Sequence, residues 1–354
     1  VLARLVEGMD RARFRNLVVS MSPPGAMAPR IAAADVPIHS LGMGHGLPSP
    51  AAVSHLVEVL NKERPAVLQT WLYHADLLGL VAGRLAGVPR ILWNIRDAEP
   101  AQGHSRLTRP LPHLLARLSA LPDGIVINSS RGQAVHEGYG YHPRRWHLIR
   151  NGFDTTRLKP DLYARPALRA MLGVSEATVL VGLVARRDPV KDHEGFLHAA
   201  ALVPREDVHF VLIGRGTEFL AARAVQLGLE DRIHLLGERQ DVGTLLPGLD
   251  VAVNASTGEG LANAIGEAMA CAVPCIVTDV GDSAFMVGGS GRVVPPSDPK
   301  ALAAAMGEMT ALPPTVRRTL GEAARKRITE HFSLKTFTAA YETLYAELSQ
   351  ERAG

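Results

Sequence analysis

The chain has 354 residues, 47% of them hydrophobic and 21% charged, with a net charge of +3. That length suits two domains better than one core, and so ordinary a composition excludes a disordered or fibrous chain. A positive charge this small does not argue for nucleic acid; it suits an anionic small molecule and an acidic membrane surface equally.

The sequence opens VLARLVEGMDRARF, without Met, and reads as an amphipathic helix already under way. A first strand is expected to be missing ahead of it. The basic stretch DRARFR (10–15) reads as a solvated helix end, with contact to anionic lipid as the alternative. Short β-branched runs then predict strands near 14–21, 36–41, 66–72, 90–97, 124–130 and 146–152, with helical patterns at 51–62 and 75–86. The stretch 151–173 holds prolines and arginines but little strand signal, and reads as a linker with a lead-in helix.

A second series of strands is predicted near 178–186, 207–215, 232–238, 251–256, 274–280 and 291–296. Apolar strands alternating with helices mean parallel sheets covered on both faces. Two such series predict an α/β protein of two doubly wound, Rossmann-like domains facing each other across a cleft. The expected boundaries are 1–155, 156–333 and a terminal helix 334–354. The tail HFSLKTFTAAYETLYAELSQERAG carries Phe332, Phe337, Tyr341 and Tyr345 at spacings of four and five, a helical stripe that must be buried somewhere.

Cys271 and Cys275 lie in the apolar run MACAVPCIV. They read as small buried hydrophobes, and so few cysteines predict a reducing, cytoplasmic location. No uninterrupted apolar stretch reaches about 18 residues, so no transmembrane helix is expected, and no signal peptide is read at the start. GRGTEF (214–219) lacks the third glycine of a dinucleotide fingerprint. No Asp-x-Asp motif or His/Cys cluster predicts a catalytic metal.

In open α/β sheets ligands bind beyond the carboxyl ends of the strands. Arg186 and Lys191 follow the strand TVLVGLVAR, where a guanidinium fork and an ammonium could clamp phosphates. After VAVNAS comes TGEGLANAIGEAM, in which Gly258 and Gly260 allow close backbone approach and Asn263 is a fitting N-cap. A helix starting there aims its positive dipole end at any bound anion. Glu259 then sits in the loop and Glu267 in the helix's second turn. Eight helical steps span roughly 12 Å, about the reach from a sugar across a diphosphate to a ribose. Solvent-facing carboxylates remain the alternative.

The segments VARRDPVKDH (184–193), VLIGRGTE (211–218), RIHLLGERQDV (232–242) and GEGLANAIGEAMACAVPCIVTDVG (258–281) resemble the retaining GT-B glycosyltransferases of glycosyltransferase family 4. NSS (128–130) and RNGFD (150–154) resemble two further landmarks of that family. The resemblance implies that Arg186 and Lys191 contact the donor diphosphate and that Glu259 lies against the transferred sugar. It places the backbone of Gly260, Leu261, Ala262 and Asn263 against sugar hydroxyls and phosphate, although family members often have Pro where this chain has Ala262. It gives Glu267 the ribose hydroxyls and Leu236 and Gly237 the base. Many members carry a His near the end of the fourth strand; Arg96 and Asp97 occupy that neighbourhood here and His74 lies at the preceding strand–helix turn, so Arg96 and His74 are further candidates for substrate binding.

The implied reaction is retaining, metal-independent transfer of a hexose from a nucleotide-diphosphate sugar to a carbohydrate acceptor. No cofactor is implied beyond the UDP- or GDP-linked donor as co-substrate. QTWLYHADLLG (69–79) with WNIRD (93–97) is similar to bacterial members that build O-antigen or exopolysaccharide. A lipid-linked acceptor and a peripheral position at the inner face of the membrane follow from that likeness; no nucleic-acid partner does. The family's first strand and glycine-rich loop are expected to be absent from this sequence. Two other classes remain open: an epimerase or hydrolase of sugar nucleotides on the same architecture, and a degenerate, non-catalytic nucleotide-binding partner.

Overall fold

The computed structural model describes residues 1–44, 49–96 and 110–350. The chain divides into two compact units, Val1–Gly152 joined by Leu334–Gly354, and Phe153–Ser333.

The first unit begins α1 (Leu2–Gly8), β1 (Val18–Ser20), α2 (Ala28–Ala32), β2 (Ile38–Ser40), α3 (Pro50–Glu63), β3 (Val67–Gln69) and α4 (Tyr73–Leu85). It continues β4 (Arg90–Ile95), α5 (Leu111–Leu118), β5 (Gly124–Ile127), α6 (Ser130–Gly138) and β6 (Trp146–Leu148). Among the described residues its ladders are parallel, yet they form two sheets: β1 pairs with β2, and β3-β4-β5-β6 make a second.

The strands of the larger sheet are apolar on both faces because both are covered. Ile91, Trp93 and Ile125 pack with Leu111 and Leu115 on one side. Leu92 and Val126 pack on the other with Phe337, Tyr341 and Leu344. Those last three belong to the terminal helix, which follows the second unit in sequence but builds the core of the first. Asp97, at the end of the fourth predicted strand, lies outside the described residues.

The second unit runs α7 (Ala164–Leu172), β7 (Val179–Val184), α8 (His193–Leu202), β8 (Val208–Ile213), α9 (Ala221–Gln226), β9 (Ile233–Leu235) and α10 (Val242–Leu245). Then come β10 (Val251–Asn254), α11 (Asn263–Ala270), β11 (Cys275–Thr278), α12 (Ser283–Val287), β12 (Gly291–Val294), α13 (Pro299–Ala311) and α14 (Pro314–His331). The terminal helix of the first unit is α15 (Leu334–Gln350). Six parallel strands form one sheet in the order β12-β11-β10-β7-β8-β9.

Alternation along each strand splits the core in two. Leu180, Val211 and Ala252 face one layer, and Val181, Phe210 and Val253 the other. From β7 the chain builds outward through β8 and β9, then returns to lay β10, β11 and β12 on the opposite side. The order therefore reverses between β7 and β10, the switch point at which doubly wound sheets hold ligands.

Candidate functional site

The loops leaving β7 and β10 meet at that switch point. After β7, Asp188 caps a short 3-10 turn by accepting from the amide of Val190 at 3.1 Å. Pro189 fixes the start of the turn and Lys191 ends it. The amide of Thr257 donates to the carbonyl of Val190 at 2.8 Å, which ties this turn to the loop after β10.

The stitch brings Lys191 onto Glu259, which are far apart in sequence. The Lys191 ammonium pairs with Oε1 of Glu259. That same oxygen accepts from Ser256 Oγ at 2.8 Å and Asn254 Nδ2 at 3.2 Å. Asn254 is itself held, its Oδ1 accepting from the amide of Ser256 at 3.0 Å and from Thr278 Oγ1 at 3.3 Å. Glu259 is thus fixed by a polar cluster at the carboxyl ends of β10 and β11, mostly withdrawn from solvent.

Two close approaches set the loop and helix behind it. Gly281 has φ +53°, and a Cβ there would lie 2.1 Å from the Glu259 carbonyl oxygen, so only glycine lets the backbone after β11 pass beneath this loop. The amide of Asp282 then donates to the Gly260 carbonyl at 3.0 Å. A Cβ on Gly266 would lie 2.1 Å from the ring of Phe153, which seats α11 directly on that buried aromatic.

Helix α11 begins at Asn263, so Ala262 is its N-cap and no side chain caps it. This corrects the expected cap at Asn263. Asparagine's side chain can serve from Ncap, but one position later it is the first helical residue. Gly260, Leu261 and Ala262 are buried, and Glu267 is half-buried in the second turn of α11.

Arg186 stands apart from this cluster. Its guanidinium pairs with Asp188 at 2.8 Å and is 60% exposed, leaving it accessible to a ligand. Burial opposes ionisation of Asp188, but the Val190 amide and the Arg186 guanidinium together hold its carboxyl below the usual range. Gly237 follows β9, where its carbonyl accepts from the Gly214 amide at 2.8 Å and its amide donates to Thr217 Oγ1 at 3.2 Å. Leu236 beside it is half-buried.

The structure places the other two candidates in the first unit. His74 lies in the first turn of α4. Arg96 follows β4 directly, its guanidinium 5.5 Å from the ring centre of Trp71, with both terminal nitrogens buried and without a hydrogen-bond partner among the described residues. Burial pushes the Arg96 pKa down from its ordinary value, against the nearby Tyr341.

Three residues at this site escaped the sequence reading: Asn254 and Ser256, which hold Glu259, and Thr278, which braces Asn254 and Ser256. A signal existed, since VAVNAS and CIVTD each turn polar at the carboxyl end of an apolar strand. Only the sheet order shows that these ends are neighbours.

A family model for glycosyl transferases group 1 matches residues 178–311, and one for glycosyltransferase family 4 matches residues 1–157. The UDP-Gal:alpha-D-GlcNAc-diphosphoundecaprenol alpha-1,3-galactosyltransferase of Escherichia coli is 27% identical over 66% of this chain and 62% of its own length. The Vi polysaccharide biosynthesis protein VipC/TviE of Salmonella typhi is 29% identical over 68% of this chain and 44% of its own. The chain thus spans about half the length of the curated relatives it matches. Among solved structures, Anabaena HepE in complex with UDP and glucose superposes with a TM-score of 0.84 at 21% identity, over 98% of this chain and 95% of that one. The likeness establishes the fold, that of the GT-B glycosyltransferases.

Proposed function

Because the chain belongs to the glycosyl transferases of group 1 and family 4, we propose that it moves a hexose from a nucleotide-diphosphate sugar to a glycan acceptor, with retention and without a metal. The observation that carries this reading is the Lys191–Glu259 pair at the β7/β10 switch point, beside the amino end of α11. An ammonium and a helix dipole lie where negative charge grows on a departing diphosphate, and stabilising that charge is the main work of such a site.

Arg186 adds a second cation through its exposed fork. Glu259, immobilised by Ser256 and Asn254, orients the sugar hydroxyls. Glu267, farther along α11, takes the ribose, and Leu236 and Gly237 line the base. Within the first unit, His74 and Arg96 are the candidates for substrate contact. No protein nucleophile is needed if the acceptor attacks the face that the leaving group vacates. The names of the E. coli and Salmonella relatives support a role in polysaccharide synthesis, with a UDP-sugar donor and a lipid-linked acceptor; a peripheral position at the inner face of the membrane is part of the same proposal. The donor itself is the only co-substrate this reading requires, and no cofactor.

Donor binding tests the reading directly. UDP, GDP, ADP and CMP, with their sugar conjugates, are added to wild type and to Glu267→Ala, and unfolding is followed by temperature. A ligand at 100 times its Kd stabilises by about 2.7 kcal/mol. One nucleotide series should stabilise the wild type and fail on the variant. No response to any series, from a protein that melts cooperatively, overturns the proposal. Arg186→Ala should chiefly lower turnover and Glu267→Ala chiefly weaken donor binding; equal, small effects would refute this division of roles.

A further inference from the structure

In the second unit the loops leaving β8 and β9 are stitched into one edge. The amide of Gly214 donates to the carbonyl of Gly237 at 2.8 Å, and the amide of Gly237 donates to Thr217 Oγ1 at 3.2 Å. That hydroxyl donates in turn to the Gly214 carbonyl at 2.9 Å. Thr217 is fully buried and opens a 3-10 turn, Thr217–Leu220. The anchor beneath the turn leaves the next residue, Glu218, exposed at its surface.

Gly237 is bare for two reasons. Its φ is +62°, and a Cβ there would lie 3.3 Å from Oε2 of Glu218. The Glu218 carboxylate therefore lies against the open face of Gly237. Among the described residues it makes no hydrogen bond and no ion pair. Other acids at this end of the sheet are committed: Asp188, Asp241 and Glu259, in the loops after β7, β9 and β10, each pair with an Arg or a Lys. Glu218 keeps its acceptors for something else, beside the residue that the proposed function sets against the nucleotide base. Half-buried Leu236 adds apolar surface next to it.

We propose that Glu218 accepts a hydrogen bond from the imino N–H of the donor's base, and so restricts the donor to uracil or guanine. This rests on the reading above, in which Leu236 and Gly237 line the base. An ionised carboxylate only accepts hydrogen bonds. Uracil N3 and guanine N1 each carry a hydrogen, which gives a charge-assisted bond to such a group. Cytosine N3 and adenine N1 carry a lone pair instead. Against Glu218 that lone pair meets negative charge and finds no donor, so the wrong bases are repelled as well as unrewarded. The two accepted bases meet the carboxylate differently. Uracil has a carbonyl on each side of N3 and reaches one oxygen; guanine has an amine beside N1 and can reach both.

Calorimetric titration tests this with UDP, CDP, GDP and ADP on wild type, Glu218→Gln and Glu218→Ala. Wild type should bind UDP about 10-fold or more tighter than CDP, or GDP by that factor over ADP, and the pair that shows the preference identifies the base. Glu218→Gln has an amide that donates as well as accepts, so the ratio should shrink to about threefold or less. Its melting temperature should stay where it was, since Glu218 has no partner to lose. Methylating the imino nitrogen, as in N3-methyl-UDP or N1-methyl-GDP, should cost wild type the same factor and be tolerated by Glu218→Ala. Glu238→Gln, at the neighbouring carboxylate, should keep the wild-type ratio. Equal binding of all four nucleotides overturns the inference and leaves the donor site standing. So does a preference that survives in Glu218→Ala or disappears in Glu238→Gln. If none of the four binds to a wild type that melts cooperatively, the donor-site reading itself falls, and this inference with it.

Discussion

Single side chains here act through the partners that hold them. Glu259 makes the point, since three donors converge on one of its oxygens. Removing Lys191 leaves Asn254 and Ser256 in place, so the loop should keep its shape while the cation is lost. Lys191→Met should therefore lower turnover by about 10²-fold or more while changing the melting temperature little; steady-state kinetics and thermal unfolding on the same preparation check both halves. His136 is a second case, in the first unit. Its Nδ1 donates to the Gly132 carbonyl at 2.7 Å, so its Nε2 accepts from the Tyr73 hydroxyl at 2.8 Å. The ring is fully buried, and that burial pushes its pKa down to about 4. The unfolded chain takes up this proton near pH 6.5 and the folded chain only near 4, so the neutral ring contributes stability above pH 6.5 that is lost as pH falls toward 4. Relative to His136→Gln, which does not titrate, wild type should lose up to about 1.4 kcal/mol per pH unit across that window. Urea unfolding at several pH values reads the difference. Buried Asp76 has the opposite sign: burial raises its pKa well above the ordinary value against the Thr70 hydroxyl and the Asn94 amide, so ionisation opposes folding as pH rises.

At the scale of elements, the site depends on where α11 and its loop are pressed. Gly281→Ala adds a Cβ 2.1 Å from the Glu259 carbonyl at a residue with φ +53°. It should destabilise by roughly 1–3 kcal/mol and, by lifting the loop, reduce nucleotide-induced stabilisation as well. A control at Gly307, where an added Cβ meets nothing within 4 Å, should leave both intact or raise stability slightly. The sequence located these elements well: each predicted strand has a counterpart, trimmed at its ends, because apolar runs bounded by glycine and proline are strong local signals. It located the cap of α11 one residue late. It did not show which glycines are packing necessities, because a clash depends on an atom from another element.

At the scale of the whole molecule, each unit has its own core, and the first is completed by a helix that follows the second in sequence. Tyr341 is fully buried against Phe337 and accepts from Asn94 Nδ2 at 2.9 Å. Tyr341→Ala should cost about 3–5 kcal/mol in the first unit. In calorimetry it should lower the transition of that unit and leave the nucleotide-dependent transition of the second where it was. Loss of nucleotide response in a still folded second unit would mean that α15 matters beyond its own core.

Strand–helix alternation determined the doubly wound class from sequence alone, since a strand buried on both faces must be apolar throughout and a crossover helix must be amphipathic. Local spacing likewise put Glu259 in a loop and Glu267 in the next helix. Tertiary structure decided the rest. Lys191 and Glu259 meet because β7 and β10 are sheet neighbours, a pairing that no local pattern records. The clamp of Asn254, Ser256 and Thr278 arises because parallel strands end at one edge.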